Sequence, residues 1–198
     1  MVKDGARSHT ITRRDPLPTD VQIDILYCGV CHSDIHIHDG KFDMGKDAPA
    51  VELPTQLLPL IMGHEIEGVV EALGPDAARR NPHVKVGDRV AVFPWIGCQE
   101  CAACKRGRPT SCPAGRMPGN DADGGFATHV MVPAHDLVPL DPPGPARHGL
   151  IGEAGLEAWE IAPIADAATT AYQAVVRAGL AEGEVAIFIG AGGVGGRA

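Results

Sequence analysis

Apolar and polar positions alternate along Val21-Gln22-Ile23-Asp24-Ile25-Leu26, which predicts a half-buried strand. A weaker alternation at residues 9–14 predicts an earlier strand, ended by Asp15-Pro16-Leu17-Pro18. Residues 66–73 read as another strand, with a turn at Gly74-Pro75-Asp76. The stretch from Val84 to Phe93 predicts a hairpin turned at Gly87-Asp88, and Gly124 to Pro133 a further strand. Short strands at this spacing suit a small all-β barrel. The pattern then changes. Residues 153–179 are rich in helix formers, and Ala167 to Ala178 carries a helical apolar period. Glu184 to Ile189 is a continuous apolar run of the kind found in a buried parallel strand. The proline-rich segment Pro49 to Pro59 is expected to wrap the surface. Pro142 to Pro145 is a candidate linker between a domain at 1–150 and a second region at 151–198.

Composition agrees with a loop-rich, mainly β chain. Among 198 residues there are 25 glycines and 17 prolines. A formal net charge of −8 disfavours a nucleic-acid partner, which would call for a basic patch. No apolar run reaches the ~18 residues that would span a bilayer, and the charged N-terminus does not resemble a signal peptide. A cytoplasmic, reducing setting is expected, and there six cysteines point to metal before disulfides.

The candidate chemistry is concentrated in four places. Cys28-Gly29-Val30-Cys31-His32-Ser33-Asp34-Ile35-His36 sets thiols, imidazoles, a hydroxyl and a carboxylate directly after a strand, and reads as a loop of reactive groups. Gly63-His64-Glu65-Ile66-Glu67-Gly68 holds a histidine that is either a metal ligand or a structural residue beside a strand; Gly68 stands where a metalloprotease helix needs its second histidine. Cys98, Cys101, Cys104 and Cys112 have the spacing of a structural zinc site. Disulfides are cramped by the two-residue steps, and the intervening Gln99, Glu100, Lys105 and Arg106 are too polar for a core. Finally, Gly190-Ala191-Gly192-Gly193-Val194-Gly195 follows the apolar run and fits a dinucleotide-binding turn.

Taken together and in this order, these motifs resemble the zinc-dependent medium-chain alcohol dehydrogenases. The likeness covers about residues 20 to 196. It implies a mainly β GroES-like barrel with a zinc lobe, followed by the beginning of an α/β Rossmann domain. It also implies two zinc ions per chain and NAD or NADP. The structural ion falls to Cys98, Cys101, Cys104 and Cys112. For the catalytic ion the resemblance implies Cys31, His64 and a third ligand in the segment Ala162-Pro163-Ile164-Ala165-Asp166, where Asp166 stands in place of the usual cysteine. A carboxylate keeps the ligand charge at −2 but is a harder donor than thiolate. The other reading of Asp166 is a helix N-cap. By the same resemblance Ser33 and His36 pass on the proton of an alcohol that gives hydride to the nicotinamide. Glu65 stands beside the metal, Asp34 orients His64, and His32 and Thr170 touch the cofactor together with Gly190, Gly192, Gly193, Val194 and Gly195. Trp95 is a candidate pocket residue; His38, His83, His129, His135 and His148 read as ordinary structural or surface histidines. The expected substrate is a small alcohol, aldehyde or ketone, or an acyl-CoA, with no nucleic-acid or membrane partner, and full-length relatives are expected to be homo-oligomers.

Within the family, Val21 to His36 resembles the cinnamyl-alcohol-dehydrogenase group. Met117 to Asn120, Gly124 to His129 and Ala165-Asp166-Ala167 resemble 6-hydroxycyclohex-1-ene-1-carbonyl-CoA dehydrogenases. Only the first strand and glycine turn of a nucleotide-binding domain are present, so the chain is expected to be a partial one with little unaided dehydrogenase activity. A non-enzymatic, zinc-stabilised GroES-like binding module is the alternative from another class.

Overall fold

The computed structural model describes residues 7–12, 14–46, 48–53, 59–140 and 156–197. Strands β1 (Asp20–Gly29), β2 (Lys41–Phe42), β3 (Val51–Glu52), β4 (Glu65–Leu73), β5 (Arg89–Val92), β6 (His129–Pro133) and β7 (Leu137–Pro139) alternate with helices α1 (His32–Asp39), α2 (Ala77–Arg80), α3 (Ala102–Lys105), α4 (Ala158–Ile161) and α5 (Ala167–Ala178). The main sheet has the order β6-β1-β4-β5-β7, with every neighbour antiparallel; β2 and β3 form a separate pair. Its two edge strands, β6 and β7, are consecutive in the chain and joined only by a short 3₁₀ turn at Ala134–Asp136. Laid flat, five strands would separate those edges by about 19 Å, at roughly 4.8 Å per spacing. A 3₁₀ link of this length rises only about 2 Å per residue. The sheet must therefore curl on itself, which gives the barrel-like form expected.

Inside the curl lie Val21, Ile23, Ile66, Val70, Val90 and Val130, all fully or almost fully buried. Along β5 the side chains alternate. Val90 and Val92 enter this core, while Ala91 faces a second cluster with Leu140 and Ile161. That second cluster fastens α4 and the 3₁₀ turn Ala162–Ala165 to the outside of the sheet, so that the turn delivers Asp166 to the start of α5. A cavity of about 140 Å³ remains at this junction, lined by apolar side chains including Phe93, Ile164 and Ala165.

Several expectations need correction. Residues 9–12 and 14 are exposed and carry no strand, because among the described residues no strand pairs with them to complete a ladder; Arg13 is outside the described residues. The arm at Val84–Val86 is not a strand. The turn at Lys85–Asp88 does form, but its backbone bonds to Val70, and it feeds β5 alone. The strand predicted from Gly124 begins only at His129. Gly124, Gly125 and Phe126 donate instead to the carbonyls of Ile61, Gly63 and Met62 at 2.7–2.8 Å, which locks that segment onto the His64 turn. Among the described residues Glu184 to Ile189 joins no strand pair, and Val185, Ile187 and Ile189 are each at least 85% exposed. A continuous apolar run becomes a strand only where neighbouring strands accept its backbone. The reactive loop after β1 turns out to be helix α1. The linker at Pro142 to Pro145, and the part of Pro49 to Pro59 at residues 54–58, lie outside the described residues.

The sheet also buries a carboxylate that is paired with an arginine. Glu67 is fully buried, and Arg89 reaches its Oε1 from β5 with Nη2 at 2.6 Å and Nε at 3.0 Å. Burial pushes the Glu67 carboxyl above the ordinary range against the pull of Arg89. Removing one member of such a pair leaves an uncompensated charge, whereas replacing both with apolar groups can be nearly neutral. Arg89→Ala should therefore destabilise the protein by about 3–5 kcal/mol in urea unfolding. Adding Glu67→Leu to that variant should restore most of the loss.

Candidate metal centre

Strand β1 ends at Gly29, and two residues later Cys31 stands at the N-cap position of α1. The Asp34 carboxylate fixes this turn by accepting the Cys31 backbone N–H at 2.9 Å through Oδ2. Its other oxygen accepts the Gly63 N–H at 3.1 Å and lies 3.6 Å from His64 Nδ1. One buried side chain thus ties together the two turns that carry Cys31 and His64. Gly63 has φ +93°, and a Cβ there would fall 2.7 Å from the Phe126 ring and 2.8 Å from Cys28 Sγ. Glycine is required at this turn both by its conformation and by the space.

The third side chain arrives from far along the chain. Asp166 Oδ2 lies 3.4 Å from Cys31 Sγ and 3.4 Å from His64 Nε2. One ligand atom from each of Cys31, His64 and Asp166 falls within 4.8 Å of the others. A tetrahedral Zn²⁺ with bonds of about 2.0–2.3 Å has ligand–ligand edges of about 3.3–3.8 Å, and both 3.4 Å separations match such edges. The electrostatics agree. Burial pushes the Cys31 and Glu65 groups up, and burial also raises the Cys28 thiol to about 12, with Asp34 adding to it. Burial disfavours the His64 imidazolium, but hydrogen bonding to Asp166 and the fields of Asp34, Asp166 and Glu65 outweigh it and raise the group. The same contact with His64 holds Asp166 below its ordinary value. None of these shifts comes from a lysine or arginine. A buried set of acids with a single imidazole among them is an environment suited to a cation.

Asp166 also occupies the N-cap position of α5, its alternative reading, yet its side chain makes no capping hydrogen bond. Glu65 does that work. Its Oε1 accepts the first helical N–H, from Ala167, at 3.3 Å. Gly29 makes room for this carboxylate, since a Cβ there would come within 2.0 Å of Glu65 Oε2. The far oxygen of Asp166 accepts the Thr170 hydroxyl at 2.8 Å. Neither the role of Gly29 nor the Thr170 contact follows from the sequence pattern; the glycine inside the Cys28–His36 segment is the only signal.

The remaining site residues are placed as follows. Ser33 Oγ lies 3.7 Å from Cys31 Sγ. The His36 ring stacks between His32, at 4.8 Å, and Phe42, at 4.9 Å, and among the described residues no hydrogen bond joins it to Ser33. His32, Thr170 and Trp95 are exposed. His135 Nε2 lies 3.3 Å from the buried Asp136, whose carboxyl burial raises to about 7. His148 is outside the described residues. In the glycine turn, Gly190 has φ +95°, and a Cβ on Gly195 would meet the Gly190 carbonyl at 2.0 Å, so the first and last glycines are required by the turn itself. A Cβ on Gly192 or Gly193 would enter open space.

The second cluster is the four-cysteine lobe. The sulfur atoms of Cys98, Cys101, Cys104 and Cys112 lie within 4.8 Å of one another, with Cys101 and Cys112 at 3.8 Å, a tetrahedral Zn–thiolate edge. Backbone N–H groups of Cys98, Cys101 and Cys104 point at Cys112, Cys98 and Cys101 sulfurs at 3.3–3.5 Å. Such donors stabilise thiolates. They draw Cys98 down to about 6, those of Glu100 and Cys101 acting most strongly.

Residues 17–142 match the family described as Alcohol dehydrogenase GroES-like domain. The chain is 32% identical to (R,R)-butanediol dehydrogenase of Saccharomyces cerevisiae over 200 residues, which cover 92% of this chain and 48% of that enzyme. Among solved structures, the CAD protein of Helicobacter pylori complexed with NADP(H) aligns with a TM-score of 0.76 at 25% identity, over 98% of this chain and 52% of that one. The cobalt and zinc bound thermostable alcohol dehydrogenase of Pyrobaculum aerophilum gives 0.72 at 28% identity, over 93% and 48%. The chain spans about half the length of the curated relatives it matches. A family match over well more than half of its residues, on the curled sheet and both cysteine-bearing turns, decides the assignment: the chain belongs to the alcohol dehydrogenase GroES-like domain family.

Proposed function

We propose that this chain is the metal-holding domain of a cytoplasmic zinc-dependent alcohol dehydrogenase, which oxidises a small-molecule alcohol by hydride transfer to NAD or NADP. The observation that carries the reading is the convergence of Cys31, His64 and Asp166 from three separate elements on one partly buried, acidic point. Zn²⁺ held by these residues would supply Lewis acidity and lower the pKa of an alcohol hydroxyl. The chain's own groups do the rest. Asp34 keeps the Cys31 and His64 turns in register. Ser33, beside Cys31, accepts the hydroxyl proton and passes its own toward His36, three residues on in α1 and on the way to solvent. His32 and the turn at Gly190, Gly192, Gly193, Val194 and Gly195 serve the dinucleotide, with backbone rather than side chains approaching its pyrophosphate. The four-cysteine lobe holds a second, structural ion. Free cysteines throughout accord with a reducing compartment, and among the described residues no helix is long and apolar enough to cross a membrane.

The exposed, unpaired state of Val185 to Ile189 favours one qualification: the 198-residue chain is a metal-binding scaffold more than a competent cofactor site. Calorimetric titration with NAD(H) should therefore give a Kd of about 1 mM or weaker; binding near about 1 μM would show that the glycine turn needs no further strands. Metal analysis should give two zinc ions per chain and, after Asp166→Ala, one. A single zinc that Asp166→Ala leaves in place would remove the catalytic reading and favour a zinc-stabilised binding module.

A further inference from the structure

The two oxygens of the Asp166 carboxylate are in different surroundings. Oδ2 faces Cys31 Sγ and His64 Nε2, each at 3.4 Å. Oδ1 points the other way and accepts the Thr170 hydroxyl at 2.8 Å. The hydroxyl is well placed by the main chain, because Thr170 N donates to the Asp166 carbonyl at 2.8 Å in the first turn of α5. Among the described residues nothing else holds Oδ1. Asp166 makes no capping bond to α5, and Glu65 takes the Ala167 N–H in its stead. A carboxylate with two free oxygens can bind one metal through both, which raises the coordination number and suits harder, larger ions. A thiolate in the same place has no such second mode. Substituting aspartate for cysteine therefore creates a freedom that a four-coordinate zinc site has to restrain.

We propose that Thr170 is a positioning residue that restrains it: by engaging Oδ1, its hydroxyl holds Asp166 to ligation through Oδ2 alone and keeps the site four-coordinate. This rests on the reading of Asp166 as a metal ligand. It gives Thr170 a task different from the cofactor contact implied by resemblance, since its hydroxyl proton is committed to the carboxylate. Outer hydrogen bonds of this kind typically change metal affinity by about 10–100-fold.

The test uses the full 198-residue chain loaded with cobalt(II), whose visible absorption is intense in four-coordinate sites and weak in five- or six-coordinate ones. Difference spectra against the parent protein cancel the common four-cysteine lobe. Thr170→Val, which keeps the side chain's shape, should weaken the absorption of the Cys31–His64–Asp166 site and lower its zinc affinity about 10–100-fold in chelator competition. Thr170→Ser should restore both. Thr170→Ala takes the place of the valine variant should that one fail to fold. Thermal melts without metal should be unchanged, because a role confined to helix stability would move them and leave the spectrum alone. An unaltered spectrum and affinity in Thr170→Val overturns the proposal. The ligand reading fails separately, through Asp166→Ala that retains the parent spectrum.

Discussion

The Asp34 carboxylate is the interaction on which the site's geometry rests. It is almost fully buried, and each of its oxygens accepts a backbone N–H from a different turn, one carrying Cys31 and the other His64. A side chain that bonds to main chain in this way fixes where two segments run, and so fixes where Cys31 and His64 point. Its remaining interaction, toward His64 Nδ1, is longer than a hydrogen bond. His64 Nδ1 is one of the few buried polar atoms left unpaired among the described residues. The arrangement puts backbone register first and imidazole orientation second. Charge follows from the same placement, because Asp34 also raises the neighbouring His64 and Cys28 groups.

The second dependence concerns a division of labour between two acids. An aspartate at the start of a helix ordinarily satisfies one of the unpaired N–H groups there. In this protein Glu65, from the first residue of β4, reaches across to do so. Asp166 is thereby released to face Cys31 and His64. The exchange needs a glycine at position 29 to admit the Glu65 carboxylate, and a packed 3₁₀ turn to bring α5 to the sheet. Ile161 and Ala162, buried against the outer face, supply that packing. The site is thus a product of the sheet's outside as much as of its core.

How much of this could be read from the sequence depended on whether the signal was local. Periodicity gave β1, β4 and the bounds of α5, since each buries a face of its own. The cysteine spacing pointed to the lobe because its four donors are close in the chain. Helix α1 reads as a loop in the sequence, for its polar residues mask the period; the local signal for it is Cys31-x-x-Asp34, a residue pair that closes a helix N-terminus. The run at 184–189 failed as a strand because ladder formation needs neighbours that local pattern cannot supply. The choice of Asp166 as a donor came through resemblance to a family segment. Its pairing with Thr170, and its exchange of duties with Glu65, are contacts across 102 residues or round a helix turn that composition does not encode.

The curl of the sheet also has a consequence in time. The four-cysteine lobe closes over a short span, with Cys98 and Cys112 only 14 residues apart. Cys31 and Asp166 are separated by 135. Bringing distant segments together costs more chain entropy and waits on the intervening topology. Under the proposed two-ion reading, the lobe could take an ion as soon as it emerges during synthesis, whereas the three-donor site would have no existence until the sheet has rolled and α5 has docked. Metal would then be acquired in sequence, and the later ion would report that the domain is finished.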